Sequence, residues 1–130
     1  MSLKLGNIVL FSRSPKTLGS FLSDIFDSEC ITMEDQSFYV DSEVASFKIL
    51  PSSSEQMFAQ GGERDFLIEI ESSSLEELED FLHKIQFLKF RHGHTDEQGK
   101  VELSKDKNNY YFYVRDPDGR RWKFFWHSVS

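Results

Sequence analysis

Basic residues, cysteine, proline and long apolar runs are all scarce in this chain, and each scarcity excludes something. Fifteen Lys and Arg stand against 22 Asp and Glu, for a formal net charge of -7 and a pI near 5.0. That balance repels phosphate backbones, so no nucleic-acid partner is expected. A single cysteine, Cys30, excludes an internal disulfide and fits a reducing, cytoplasmic setting. Nothing in its neighbourhood suggests a lowered pKa, so it reads as a packing residue. No apolar run approaches the roughly 20 residues of a membrane-spanning helix, and no membrane association is expected. The first residues also lack the basic-then-apolar order of a secretory leader. There is no nucleophile elbow, phosphate-binding loop or dinucleotide fingerprint.

What is present is one domain's worth of chain: 130 residues and 15.2 kDa, 38% apolar and 28% charged, with a mean hydropathy of -0.47. Those proportions suit a water-soluble globular domain with a real core. The unusual feature is 13 Phe. Such an excess fills cores and also lines sites for flat or apolar ligands.

Taken in order, Leu5 to Ser12 (LGNIVLFS) reads as a strand. Ser14-Pro15 marks a helix start, Ser14 as a cap and Pro15 at the first helical position. Leu18, Phe21, Leu22 and Ile25 then form one apolar stripe of a helix running to about Asp27. CITMED, QSFYVD and EVASFKIL read as a three-strand meander. Residues 51–64 (PSSSEQMFAQGGER) have linker composition. The order then recurs. DFLIEIE, from Asp65 to Glu71, reads as a strand. The Ser72-Ser73-Ser74 run can cap a helix whose first turn carries Glu76 and Glu77. Leu78, Phe81, Leu82 and Ile85 repeat the LxxFLxxI stripe sixty positions on. Strands are expected at Phe87 to His92 and at Val101 to Leu103, before a terminal hairpin. One module covers about 5–50 and the other 65–127, each a strand, a helix and about three strands.

The hairpin, YYFYVRDPDGRRWKFFW, folds at Asp116-Pro117-Asp118-Gly119, where Pro presets φ and Gly accepts a left-handed conformation. A four-residue loop closing on Arg115 and Arg120 would set Phe112 opposite Lys123 and Tyr110 opposite Phe125. Tyr111, Tyr113, Trp122, Phe124 and Trp126 would then share the other face. Both faces are rich in aromatics, so one covers a helix and the other is left for a pocket or a partner. By parity the second face gathers Asn7, Val9, Phe11, Leu67, Glu69, Tyr110, Phe112, Lys123 and Phe125. That is the make-up of a small-molecule site.

The doubled βαβββ order and the closing F/Y-x-x-D-P-D-G-x-x-W/I-x-F resemble the vicinal oxygen chelate superfamily. That group holds glyoxalase I, the extradiol dioxygenases and the bleomycin- and fosfomycin-resistance proteins. The resemblance covers about Leu5 to His127. It implies an α+β fold of two tandem βαβββ modules in a curved mixed sheet with a cleft, and a homodimer. It also implies where a divalent metal would be held. The first-strand ligand position falls on Asn7, in GNIVLFS. The second falls on Asp65, or on Leu67 if the helix fixes the alignment. The last, a Glu in DPDGxxxE, is Lys123 here, and Ser46-Phe47-Lys48 supplies no fourth. An ammonium donates only and cannot stand in for a carboxylate ligand. Lys123 could instead fill the vacated centre by pairing with Asp65 or Glu69.

The expectation is therefore a metal-free and cofactor-free binder of a small, partly aromatic or anionic molecule. Its contacts would be Asn7, Val9, Phe11, Asp65, Leu67, Glu69, Tyr110, Phe112, Lys123 and Phe125. Catalytic residues are not assigned. An enzyme, whether lyase, isomerase or dioxygenase, would need displaced ligands drawn from Asp65, Glu69, His92, His94 and His127. A third reading is an interaction module with a vestigial site, its aromatic face meeting another protein. The H-x-H pair of His92 and His94 otherwise reads as surface decoration, and His83 as solvated.

Overall fold

The computed structural model describes residues 2–52, 67–91 and 101–128. The chain divides into two compact units. One takes the chain up to residue 66 together with 116–120, and the other takes 67–115 and the chain from 121 onward. No helix among the described residues is long and apolar enough to cross a membrane.

The first unit runs β1 (Asn7–Ser12), α1 (Pro15–Phe26), β2 (Cys30–Thr32), β3 (Phe38–Asp41) and β4 (Ser46–Pro51). Its sheet has the order β1-β4-β3-β2, with β1 parallel to β4 and the other pairs antiparallel. Pro15 opens α1 as expected, but Ser14 caps it without a side-chain bond to the backbone. Its hydroxyl meets Thr17 Oγ1 at 2.8 Å instead. Asp27 ends the helix in the left-handed region, at φ 49°. Leu18, Leu22 and Ile25 bury their stripe against a sheet face carrying Leu10, Val40, Phe47 and Ile49, and Phe26 stacks on Phe47 at 5.6 Å. Pro51, expected to open the linker, is the last residue of β4, paired with Ser12.

Gly19 is where α1 comes closest to the sheet: a Cβ there would lie 2.7 Å from Cys30 Sγ. Gly19→Ala should thus lower stability by about 1 kcal/mol, overpacking outweighing the gain in helix propensity. In a Cys30→Ala background the same change should raise stability by up to about 1 kcal/mol. Urea titration of the four proteins checks this. Equal effects of Gly19→Ala in both backgrounds would contradict it.

The second unit runs β5 (Leu67–Glu71), α2 (Leu75–Arg91), β6 (Ser104–Asp106), β7 (Asn109–Arg115) and β8 (Arg121–His127). Its sheet, β5-β8-β7-β6, repeats the first: β5 is parallel to β8 and the rest are antiparallel. Each unit is thus a βαβββ module with a four-stranded mixed sheet, an α+β arrangement. Ser74 caps α2, its Oγ accepting the Glu77 N–H at 3.1 Å. Leu78, Leu82 and Ile85 are buried, and Phe81 packs on Phe124 at 4.7 Å and on Phe112 at 6.4 Å.

Two expectations about this unit are corrected. Phe87 to His92 was expected to be a strand, yet α2 continues through Arg91. No glycine or proline interrupts residues 75–91, and Leu88, half-buried, follows Ile85 at helical spacing. The third strand is not Val101 to Leu103 but Ser104–Asp106, joined to β7 by the two-residue turn Lys107-Asn108.

The hairpin register is also one residue off the expected one. Arg115 pairs with Arg121, Tyr113 with Lys123, Phe112 with Phe124, Tyr111 with Phe125 and Tyr110 with Trp126. The loop therefore holds Asp116–Arg120, and the reason is local chemistry. Asp116 Oδ1 accepts the N–H of Asp118 at 2.8 Å and of Arg120 at 3.1 Å, while the Asp116 N–H donates to the Arg120 carbonyl at 3.0 Å. Gly119, at φ 89°, takes the left-handed position. A slip of one residue exchanges the faces of a strand. Tyr110 and Phe112 consequently lie on the helix-covered face, and Tyr111 and Tyr113 on the face of Lys123 and Phe125.

Candidate functional site

One face of the second sheet is covered by α2 and is filled by Phe112, Val114, Trp122 and Phe124. Strand alternation sends Leu67 and Glu69 of β5, Arg121, Lys123 and Phe125 of β8, and Tyr111 and Tyr113 of β7 to the opposite face. Those side chains range from half-buried to exposed, and charge and aromatic rings interleave among them.

Lys123 is the centre of this arrangement. Its Nζ lies 3.5 Å from Glu69 Oε2, 5.1 Å from the Tyr111 ring centre and 5.7 Å from that of Phe125. The pairing with Glu69 is one the sequence suggested. Its side chains are 26% and 52% exposed, so water screens the pair and its net contribution is small, about 0–1 kcal/mol. The two rings hold the ammonium by its charge while it keeps contact with solvent. Next along β8, the Arg121 guanidinium lies 4.9 Å from the Tyr113 ring centre, and Tyr113 meets Tyr111 edge-on at 5.7 Å. At the other end His127 Nδ1 hydrogen-bonds Asn109 Oδ1, and its ring tilts against Phe125 at 4.9 Å. His127 is held at the rim rather than aimed at the centre.

The expected site residues divide accordingly. Leu67, Glu69, Lys123 and Phe125 share the open face of the second sheet. Asn7, Val9 and Phe11 line the corresponding face of the first unit's sheet, Asn7 and Val9 exposed and Phe11 half-buried. Tyr110 and Phe112 do not join them: Phe112 is buried beneath Phe81, and Tyr110 packs against Trp126 at 5.7 Å on the helix-covered side. Asp65, His92 and His94 lie outside the described residues. Tyr111, Tyr113 and Arg121 are the residues that sequence reasoning missed. A loop counted as Asp116–Arg120, on the strength of an Asp and an Arg four apart, would have found them.

Among the described residues no three His, Cys, Asp or Glu side chains gather as a metal site. Burial pushes the Cys30 thiol up from its usual pKa, away from thiolate character, so it is suited to packing rather than attack. The chemistry on the open face is cationic and aromatic: it can pair an anion and stack a ring.

No family model matches the sequence, and no curated protein matches it. Solved structures do. A lactoylglutathione lyase from Agrobacterium tumefaciens superposes with a TM-score of 0.66 at 13% identity, over 97% of this chain and 95% of that one. The fosfomycin resistance protein FosX from Listeria monocytogenes, in its hexagonal form, gives 0.66 at 19% identity over 99% and 97%. The oxidase ChaP-H2 gives 0.64 at 16% identity over 100% and 98%. This chain shares the fold of all three, a glyoxalase/bleomycin-resistance-like α+β arrangement. Glyoxalases and fosfomycin-resistance proteins are what it is structurally similar to.

Proposed function

We propose that the protein is a metal-free binder of a small, partly aromatic, anionic molecule, held on the open face of its second sheet. The observation that carries this reading is Lys123. The resemblance places a metal-binding carboxylate at that position, and here an ammonium stands between Tyr111 and Phe125 with Glu69 as its counter-ion. A cation beside Glu69 opposes a divalent ion at the same place, whereas rings and positive charge together suit an anionic aromatic. The half-exposed Glu69 is a weak competitor for Lys123, so an incoming anion displaces it at little cost. A cytoplasmic homodimer belongs to the same proposal, and sedimentation at twice 15.2 kDa tests the assembly.

A thermal melt of chelator-treated protein with Mg, Mn, Fe(II), Co, Ni and Zn in turn tests the metal-free reading. Binding at one hundred times the dissociation constant would add about 2.7 kcal/mol, a rise of several degrees. The expected result is no shift with any ion. A shift that Glu69→Ala abolishes would overturn the proposal and put a metal-dependent lyase, isomerase or dioxygenase in its place.

A further inference from the structure

Of the two cations that β8 places on the open face, Arg121 is the one with no counter-charge among the described residues. Lys123 has Glu69, but among the described residues no carboxylate pairs with Arg121 and its buried Nε has no acceptor. Its guanidinium is not loose, because it lies against the Tyr113 ring at 4.9 Å. A guanidinium held over a ring in this way loses less freedom when its fork binds. Directly across the hairpin is Arg115, a third cation on the same face. On the β5 side the register neighbour is Leu67, an apolar side chain 43% exposed. Arg121 thus has a ring beneath it, a cation on one side and an uncovered apolar surface on the other.

We propose that Arg121 is a carboxylate fork, and that the ligand is a flat aromatic acid carrying one negative charge. This rests on the binding reading above and names the group that meets the anion. A planar guanidinium matches a planar carboxylate through two parallel hydrogen bonds, a geometry an ammonium does not offer. The aromatic part of the ligand rests on Leu67 and the exposed edge of Tyr113, which is 38% exposed. The whole-chain charge of -7 selects in the same direction. It repels di- and trianionic phosphates more strongly than a monoanion, so a carboxylate is preferred over a phosphate ester.

Calorimetric titration with 2-naphthoate, its neutral isostere 2-naphthamide, and inorganic phosphate tests the assignment. The parent protein should bind the acid at least about tenfold more tightly than the amide, as expected for charge-assisted hydrogen bonds. Inorganic phosphate should not compete. Arg121→Lys keeps the charge and loses the fork, and should weaken the acid about tenfold while leaving the amide unchanged. Arg121→Gln should bring acid and amide to equal affinity. Lys123→Met should weaken the acid about threefold, less than Arg121→Gln does, because Glu69 already offsets part of that ammonium's charge. Equal binding of acid and amide by the parent, unaltered in Arg121→Lys, overturns the fork and leaves the aromatic-face reading standing. Loss of the acid in Lys123→Met but not in Arg121→Lys also overturns the fork, placing the anion on Lys123. Failure of both naphthalene probes to bind overturns the fork and the binding reading together.

Discussion

Arg120→Met is expected to destabilise the protein by about 3–5 kcal/mol. Arg120 has no exposed surface, and the Asp116 side chain, 3.2 Å from its Nη1, has none either. The same Nη1 lies 3.4 Å from Asp118 Oδ2, Nη2 donates to the Phe11 carbonyl, and the Arg13 N–H caps Asp118 Oδ1 at 3.2 Å. Methionine fills most of the volume, so the loss is electrostatic rather than a cavity: a carboxylate and a carbonyl lose their donor away from water. Asp116 keeps the N–H groups of Asp118 and Arg120, which places the loss toward the lower end of that range. Urea unfolding should show a lower midpoint at unchanged slope. Adding Asp116→Asn to Arg120→Met should recover more than about 1 kcal/mol, since the buried charge is then gone. A loss under about 1 kcal/mol for Arg120→Met would mean that the pair does not anchor the turn.

The same five residues explain what could and could not be read from the sequence. The two helices, their LxxFLxxI stripes and the βαβββ order were legible because each rests on local signals: a proline or serine at the start, an apolar period, turn residues between strands. The register of the last hairpin was not. It turns on whether Arg120 begins a strand or ends a loop, and that depends on a buried ion pair and on the Phe11 carbonyl more than one hundred positions away. The strand expected at Phe87 to His92 fails for a related reason, since the helix runs through Arg91. FLKF has strand-like composition, and only continuity with the stripe at Leu82 and Ile85 shows it to be helix. The site inherits the register: Glu69 beside Lys123 was legible from parity within β5 and β8, whereas Tyr111, Tyr113 and Arg121 followed only once the loop was counted correctly.

Phe112→Ala and Tyr113→Ala, at adjacent positions of β7, should differ by several kcal/mol, and their order decides the register in solution. Phe112 is 1% exposed and stacks on Phe124 at 5.3 Å and on Phe81 at 6.4 Å. Truncating it should cost about 3–5 kcal/mol through lost burial, lost ring contact and a residual cavity. Tyr113 is 38% exposed and touches the Arg121 guanidinium and the Tyr111 edge, so its truncation should cost under about 1.5 kcal/mol. Should Phe112→Ala fail to fold, Phe112→Leu keeps most of the volume and should lose only about 1.5 kcal/mol or less. With a four-residue loop the order reverses: Phe112 would share the face of Lys123 and Tyr113 would enter the core. Urea titration of the three variants distinguishes the two registers. A greater loss for Tyr113→Ala than for Phe112→Ala would return Phe112 to the open face and remove Tyr113 from beneath Arg121. The carboxylate fork would then lose its support, so this stability measurement also bears on the ligand.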